Sequence, residues 1–337
     1  MFPKEADAVK TSVSARMDRA EARLVDRIPA EEWVMLRPVI EEIEELKQAC
    51  NAIVIAHNYM TPDIYHSVAD IVGDSLNMAR DGAATEASVI VLAGVHFMAE
   101  TAKILSPEKT ILIPDLAAGC SLAESITANE ILGLRRAFPG VPVVTYVNTS
   151  AAVKAVSDVC CTSANVVQVV ESLGAPRVLL LPDRFLARNV ALQTSVEILT
   201  WAPGSCEVHE RFTAAEMHEI RRDYGTDIAI LAHPECPTEV TASADFVGST
   251  NAMAKYIASS GKKRIALITE CSMADNLAVE FPDVEWVRPC NLCPHMKRIT
   301  LGNIRDALRL NQYEVEVPTD IRVAAKRALD RMLEMSK

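Results

Sequence analysis

Two cysteines stand at C-x-x-C spacing near the end of the chain, in the stretch R-P-C-N-L-C-P-H-M-K of residues 288–297. Thiols at this spacing can form half of a zinc site, a redox-active disulfide, or part of another metal site. The local motif does not decide among these chemistries. The choice depends on where the other seven of the nine cysteines lie.

Three of the cysteines recur at one spacing along the chain. Cys120, Cys206 and Cys293 each follow a short apolar run, and they are separated by 86 and 87 residues. Three converging thiolates can hold an iron-sulfur cluster with one iron left without a protein ligand, or a zinc ion with an open fourth position. Three buried cysteines that merely pack at equivalent places in a repeat are the alternative.

The remaining cysteines carry weaker signals. Five of them border apolar runs or have no counterpart in a repeat, and they are predicted to be structural thiols: Cys50, Cys160, Cys161, Cys236 and Cys271. Cys290 also lacks a counterpart. Either it is inert, or it forms a disulfide with Cys293 when a bound cluster is lost.

Three pairs of polar residues repeat at nearly the same spacing, each pair directly after an apolar run. The pairs are His57 with Tyr59, Tyr146 with Asn148, and His233 with Glu235. In an extended chain, residues i and i+2 point to the same side, so each pair faces one space. A carboxylate, imidazoles, phenols and an amide are the groups that proton abstraction, enolisation and dehydration require. A lone histidine is more often an ordinary core residue, but three matched pairs favour a site.

Small hydroxyl residues follow each pair by about 17 residues. They are predicted to begin helices, where free backbone N–H groups bind carboxylate and phosphate. Simple N-capping is the alternative role, and the two roles are compatible. The residues are Ser75, Ser163, Ser249 and Thr250.

These repeated residues require repeated elements to position them. Alternating strand and helix patterns predict an α/β fold of three similar domains with parallel sheets, in ranges 50–138, 139–227 and 228–315. Ligands of such sheets lie beyond the carboxyl ends of the strands. We therefore expect a pseudo-three-fold arrangement with the active site at its centre. Residues 1–49 are predicted to be a helical extension, and 316–337 a C-terminal helix.

Composition narrows the classes of function. Half of the 337 residues are hydrophobic and only 5% are aromatic, which is typical of buried aliphatic parallel sheets. A net charge of -11 argues against binding to nucleic acid or to an anionic membrane surface. The N-terminal stretch has no apolar core of a secretory signal, and the longest apolar run is too short to cross a bilayer. We expect a cytoplasmic protein.

The motifs together resemble those of the quinolinate synthase family, an iron-sulfur enzyme family of NAD biosynthesis. The resemblance runs from about residue 50 to 315 and rests on AHNYM, MAETAKIL, AAGCSLAE, TYVNTSA, CTSAN, APGSCEVHERF, ADFVGST and CPHMKRITL. Any one of these alone would be weak. Many members have His-Tyr-Tyr where this chain has His57-Asn58-Tyr59.

The resemblance implies an activity and a set of partners. The family condenses iminoaspartate with dihydroxyacetone phosphate to give quinolinate, phosphate and water. An aspartate-oxidising enzyme is the implied source of iminoaspartate. The implied cofactor is a [4Fe-4S] cluster with one open iron, held by Cys120, Cys206 and Cys293.

The resemblance also implies that the three polar pairs belong to the active site. The hydroxyl residues would bind the anionic parts of the substrates. From the residues themselves, Glu235 is the expected general base. Two alternatives stay open at this stage. One is a zinc-dependent lyase or hydrolase on the same fold, and the other is a thiol redox sensor that uses Cys290 and Cys293.

Overall fold

The structure is a computed structural model that describes residues 12–25 and 27–336, and its strands form three four-stranded parallel sheets. Each sheet lies within one predicted repeat. The first contains β1 Ala52–His57, β2 Ile71–Gly73, β3 Val89–Ala93 and β4 Thr110–Leu112. The second contains β5 Val143–Tyr146, β6 Val159–Cys161, β7 Arg177–Leu181 and β8 Glu197–Thr200. The third contains β9 Ile228–Ala232, β10 Phe246–Val247, β11 Arg264–Ile268 and β12 Glu285–Val287.

The three sheets share one topology. Their strand orders are β2-β1-β3-β4, β6-β5-β7-β8 and β10-β9-β11-β12, so the first strand of each repeat is central. Every residue of β1, β5 and β9 is buried. Continuous apolar runs form these strands, because a parallel sheet covered on both faces has no polar side. The predicted α/β fold with parallel sheets is confirmed, whereas the pseudo-three-fold arrangement and the domain boundaries stay predictions.

Helices connect the strands, and further helices precede the first sheet and follow the last. The predicted N-terminal extension contains the helices Val13–Leu24 and Ala30–Ala49, while residues 1–11 of that prediction lie outside the described residues. The predicted C-terminal helix begins at Thr319. The helices are α1 Val13–Leu24, α2 Ala30–Ala49, α3 Ser75–Ala84, α4 His96–Leu105, α5 Ala128–Ala137, α6 Ala151–Ala155, α7 Val166–Ser172, α8 Arg184–Ala191, α9 Ala214–Tyr224, α10 Thr238–Thr241, α11 Thr250–Ser260, α12 Ser272–Glu280, α13 Leu301–Leu310 and α14 Thr319–Met335. Within the described part of the chain, none combines the length and apolarity needed to span a membrane.

The chain divides into two compact units. Unit 1 consists of residues 1–119, 272–282 and 294–316, and it contains the first sheet with α1–α4, α12 and α13. Unit 2 consists of residues 120–271, 283–293 and 317–337, and it contains the other two sheets with α5–α11 and α14. The helix after β11 therefore belongs to a different unit from the sheet that contains β11.

In each repeat, one aspartate carboxylate accepts a backbone N–H of the central strand. Asp70 accepts the backbone N–H of Val54 at 2.8 Å, and the aspartates 88 and 175 residues further on do the same for the strands β5 and β9 at 2.7 Å. A cation from the preceding helix pairs with each carboxylate. These pairs are Lys47–Asp70, Arg135–Asp158 and Arg221–Asp245.

Cys271 and Cys290 form a disulfide, so Cys271 is structural, as predicted, but it is not a free thiol, and Cys290 is paired with Cys271 in this structure. Cys271 follows the end of β11 and Cys290 follows β12, and an isolated bridge between Glu270 and Asn291 brings the two segments together. Cys293 remains a free thiol.

Candidate active site

The three repeat-related cysteines lie in unit 2, each in the loop after the fourth strand of its sheet. Cys120, Cys206 and Cys293 are free thiols of intermediate exposure. Burial, with smaller contributions from the nearby Cys293 and Glu235, raises the pKa of the Cys120 thiol to about 12. Burial also raises the pKa of Cys206, with Glu235 and Cys120 adding to the effect. Cys120 is thus an electrostatic neighbour of both Cys206 and Cys293, and the three-cysteine ligand set stays a prediction.

The loops around these cysteines have the same local structure. A 3₁₀ turn begins three residues after each cysteine, at Ala123–Ser125, His209–Arg211 and Met296–Arg298. Backbone N–H groups two and three residues after Cys120 and Cys206 donate to the sulfurs and lower the thiol pKa values. Such donors favour a charged sulfur over a neutral one.

A threonine seven residues after each cysteine begins the following helix with a capping box, and this second repeat signal is readable in the sequence. The three are Thr127, Thr213 and Thr300.

Carboxyl side chains hold two of the cysteine loops by their backbone. The N–H of Cys206 donates to Asp183, which is buried and also caps α8. The N–H of Cys293 donates to Glu270 Oε1 at 3.3 Å. The Cys206 loop also approaches the backbone closely, because a Cβ on Gly204 would lie 2.0 Å from the Pro182 carbonyl oxygen. The loop is therefore held on both sides.

Glu235 is a buried carboxylate between two stacked histidines. Its Oε2 lies 2.8 Å from His209 Nδ1 and 3.3 Å from His233 Nδ1, and the two imidazole rings are 4.6 Å apart. Burial alone would raise the pKa of Glu235, but His233 and His209 together lower it below its ordinary value. The carboxylate is ionised at neutral pH.

His209 completes this arrangement and links it to the cysteines. Its Nδ1 lies 3.3 Å from Cys206 Sγ, and its Nε2 lies 2.9 Å from the Thr269 hydroxyl. Burial, followed by the neighbouring His233, lowers the pKa of His209, although Glu235 opposes this shift. The imidazole is therefore neutral. Donor atoms of Cys206, His209 and Glu235 all lie within 4.8 Å of one another, which makes them a possible metal site.

The pair on the second sheet meets the pair on the third. Asn148 Nδ2 lies 3.5 Å from Glu235 Oε1, and the buried Tyr146 ends the strand β5. One member of the second pair therefore contacts one member of the third. The buried Ser249 and Thr250 also belong to unit 2, where Ser249 caps α11 by accepting the Ala252 N–H.

The third predicted pair lies in unit 1. His57 ends β1 and Tyr59 lies just after it; their ring centroids are 4.6 Å apart, and both residues are buried. His57 pairs with Gly73 across the sheet, so Ser75 lies at the same edge of the sheet. Ser75 is the first residue of α3, as predicted, while Asp74 supplies the cap.

Ser163 is the exception among the predicted hydroxyl residues. It does not begin a helix, since α7 starts at Val166 with Asn165 as its N-cap residue. Asn165 Oδ1 accepts the backbone N–H and the hydroxyl of Thr162, and this turn delays the helix. The expectation that Ser163 is a helix start is wrong for this reason.

Sequence reasoning missed several members of the site. His209, Asp183, Thr269 and Glu270 carry no signal from the repeated i and i+2 pairs. The Cys206-x-x-His209 spacing was visible in the sequence and could have identified His209 as a neighbour of the cysteine.

Comparisons with known proteins agree across most of the chain. The model of the family described as Quinolinate synthetase A protein matches residues 41–334. The chain is 62% identical to a quinolinate synthase of Agrobacterium fabrum over 93% of this chain and 92% of that relative. It is 59% identical to quinolinate synthase 1 of Mesorhizobium japonicum over 93% and 98%, and 60% identical to a quinolinate synthase of Xylella fastidiosa over 87% and 86%. This chain is a member of the quinolinate synthase family.

Proposed function

We propose that the chain condenses iminoaspartate with dihydroxyacetone phosphate to form quinolinate, with release of phosphate and water. The observation that carries this proposal is the ionised Glu235 carboxylate between His209 and His233, directly beside Cys206. Such a group can move protons on a substrate held next to the three thiols. Family membership over residues 41–334 supports the same reaction.

The proposed cofactor is a [4Fe-4S] cluster held by Cys120, Cys206 and Cys293. Burial raises the pKa values of Cys120 and Cys206, and Glu235 and a neighbouring cysteine add to the effect at each, so ionised sulfurs at this place need a cationic partner. The backbone N–H groups aimed at Cys120 and Cys206 suit cluster sulfurs of this kind. When bound, the cluster would supply an open iron as a Lewis acid.

Glu235 is the proposed general base, and it acts together with His233. Because the lowered pKa keeps the carboxylate ionised, Glu235 is a weak base alone but a strong acceptor for an imidazole N–H. His233 Nδ1 lies 3.3 Å from the carboxylate and accepts the Glu235 backbone N–H at 3.4 Å, so Nε2 carries the ring proton and can donate it to a substrate.

The remaining predicted residues bind and orient the substrates. Ser249 and Thr250 lie at the N-terminus of α11, where the helix dipole favours a phosphate or a carboxylate. Ser75 offers a similar anion-binding helix start at α3. Ser163 offers a hydroxyl from the turn that precedes α7. We assign stabilisation of enediol and imine intermediates to the phenols and imidazole of Tyr59, Tyr146 and His57, and substrate binding to Asn148. Iminoaspartate would come from an aspartate-oxidising enzyme.

One observation favours a second candidate, a zinc-dependent lyase or hydrolase. The donors of Cys206, His209 and Glu235 lie close enough for one metal ion, and this donor set suits zinc. Measurement of bound metal and sulfide separates the two candidates. Anaerobically purified protein with about four iron and four sulfide per chain supports the cluster, and one zinc without sulfide supports the alternative.

The test of the proposed function combines the iron and sulfide measurement with an assay for quinolinate. We expect the parent protein to form quinolinate, and Cys206→Ala to lose both the iron and the activity. Glu235→Gln should keep the iron but lose at least about 100-fold in kcat, the usual scale for a general base. Cys50→Ala, at the end of α2 in unit 1, is the control and should keep both. A Glu235→Gln protein with the parent rate would exclude Glu235 as the base.

A further inference from the structure

The two loops that bear the predicted histidines have the same backbone turn. The carbonyl of His57 accepts the N–H of Met60 at 2.9 Å, and the carbonyl of His233 accepts the N–H of Cys236 at 3.0 Å. In each turn the N–H two residues after the histidine donates to its Nδ1, at 3.2 Å and 3.4 Å. The turn therefore orients the ring and the side chain two places on as one rigid group.

A single asparagine closes the turn in the third repeat. Asn189, a buried residue of α8, donates from Nδ2 to the carbonyls of Pro234 and Cys236 at 2.8 Å and 2.9 Å. Its Oδ1 accepts the Thr241 hydroxyl at 3.0 Å, which determines which way the amide faces. Both protons of the amide are thus used on the loop that carries His233 and Glu235.

A second asparagine does the same in the first repeat. Asn276, a buried residue of α12, donates from Nδ2 to the carbonyls of Asn58 and Met60 at 3.1 Å and 2.8 Å. Lys297 donates to the carbonyl between them, that of Tyr59, at 2.8 Å. Three consecutive carbonyls of the loop that carries His57 and Tyr59 are therefore held.

The two asparagines are 87 residues apart and occupy the same position of the repeat. Asn189, in the second repeat, holds the loop of the third repeat, and Asn276, in the third, holds the loop of the first. Thr101 stands at this position in the first repeat, and its hydroxyl donates to the Phe97 carbonyl of its own helix at 2.8 Å. The loop after β5 is instead held from within, where Thr149 donates to the Tyr146 carbonyl at 2.9 Å and Lys154 donates to the Thr149 carbonyl. An asparagine therefore binds each of the two loops that carry a predicted histidine, and not the loop after β5.

We propose that Asn189 and Asn276 are positioning residues for the reaction, each acting through the turn that it closes. The inference rests on the proposed function, in which His57, Tyr59, His233 and Glu235 contact the substrates. The second and fourth carbonyls of each turn would otherwise lack these donors in a buried place, and the turn would relax. Displacement of a reacting group by about 1 Å can cost about 100-fold in rate.

The test replaces each asparagine by threonine, the residue that the first repeat has at this position. A threonine on a helix bonds to its own helix, as Thr101 does, so Asn276→Thr and Asn189→Thr should free the loop carbonyls. Hydrogen exchange is measured on peptides that cover 57–60 and 233–236, and kcat and KM are measured for quinolinate formation. Thr101→Ala is the matched control at the same repeat position.

We expect each variant to loosen only its own loop. Asn276→Thr should speed exchange in 57–60 by at least about tenfold, because it removes two hydrogen bonds from this loop, with 233–236 unchanged. Asn189→Thr should do the reverse. Each should lower kcat by roughly 10- to 100-fold with a smaller change in KM, while iron content stays at the parent level. Thr101→Ala should change neither loop.

The outcomes that overturn the proposal are separate from those that overturn the proposed function. Unchanged exchange in both loops, or faster exchange with parent kcat, overturns the positioning role. A parent protein that makes no quinolinate overturns the proposed function alone, because the exchange measurement needs no substrate. Should the threonine variants fail to fold, Asn276→Ser and Asn189→Ser, which add no bulk, make the same comparison.

Discussion

His66 is a buried imidazole that belongs to none of the predicted pairs. It lies in the π-helical turn Ile64–Val68, and its Nε2 donates to the Asn276 carbonyl at 3.1 Å. Its Nδ1 is buried without a hydrogen-bond partner among the described residues. Burial, followed by the charge of Arg23, lowers the pKa of His66 to about 4. The ring is neutral in the folded protein.

This histidine predicts a pH dependence of stability. Because its folded pKa lies below the unfolded value of about 6.5, the unfolded state binds more protons between these values. The stabilisation is complete above about pH 6.5 and is lost as the pH falls toward 4. Between pH 7.5 and pH 5 the loss from this one group is about 2 kcal/mol. His66→Leu should therefore lose about 2 kcal/mol less of its unfolding free energy over this range than the parent.

Urea unfolding at the two pH values measures this difference. An equal loss in the parent and in His66→Leu would show that His66 is already protonated in the folded protein or is not buried there.

At the scale of single residues, sequence reasoning succeeded where polar residues come directly after a central strand. Asn148 and Glu235, which meet at 3.5 Å, both follow the carboxyl ends of such strands, where the ligands of parallel sheets lie. His209 depends instead on a 3₁₀ turn, whose direction the sequence pattern does not state. The Cys271–Cys290 pair depends on the distance between two loops 19 residues apart, which no spacing rule gives.

At the scale of elements, the aspartate that accepts a backbone N–H of the central strand in each repeat lies in different surroundings from one repeat to the next. The Asp70 side chain is 1% exposed and pairs with Lys47 and Arg16, whereas the Asp245 side chain is 39% exposed and pairs with Arg221. Removal of one partner from a buried group leaves an uncompensated charge, while an exposed pair is screened by water. The repeat thus provides its own matched control.

We predict that Asp70→Asn lowers the free energy of unfolding by about 3–5 kcal/mol and that Asp245→Asn lowers it by less than about 1 kcal/mol. Asparagine can still accept the strand N–H, so the difference isolates the charge. Urea unfolding followed by circular dichroism measures both variants. Equal effects would mean that the backbone bond, and not the buried charge, matters at Asp70.

The elements themselves were largely predictable. Of the twelve strands in the described part of the chain, three in each repeat come from apolar runs, and helices follow where the apolar period changes. The second strand of each repeat has only two or three residues and gives no such signal. The boundary at Ser163 was wrong because the Asn165 side chain closes a turn over Thr162. Such local competition between a side chain and the helix is decided by geometry that a period does not contain.

At the scale of the whole molecule, the repeats and the compact units do not coincide. Unit 1 needs residues 272–282 and 294–316 in addition to the first 119 residues. The first sheet depends on them directly, because Ile113 donates to the Tyr313 carbonyl at 3.1 Å and Val315 donates to the Ile111 carbonyl at 2.8 Å. The repeat in the sequence predicts three sheets. It does not predict that helices of the third repeat belong to the same compact unit as the first sheet.

We therefore predict that a fragment of residues 1–119 does not fold as a stable domain, although it contains a complete sheet. Fusion of residues 294–316 to this fragment through a flexible linker should restore part of the structure, because it returns the partner of β4 and the helix α13. Circular dichroism and hydrogen exchange compare the two fragments. A cooperative unfolding transition in residues 1–119 alone would contradict the prediction.

The interleaving of unit 1 also has a consequence in time. On the ribosome, the first sheet is made about 200 residues before the last segment of its unit, Pro294–Glu316. At about 5–20 residues per second, the apolar strand β1 waits roughly 10–40 s for that segment. During this interval the nascent chain presents unfinished apolar surface, and it is at this stage of synthesis that we expect chaperones to engage it.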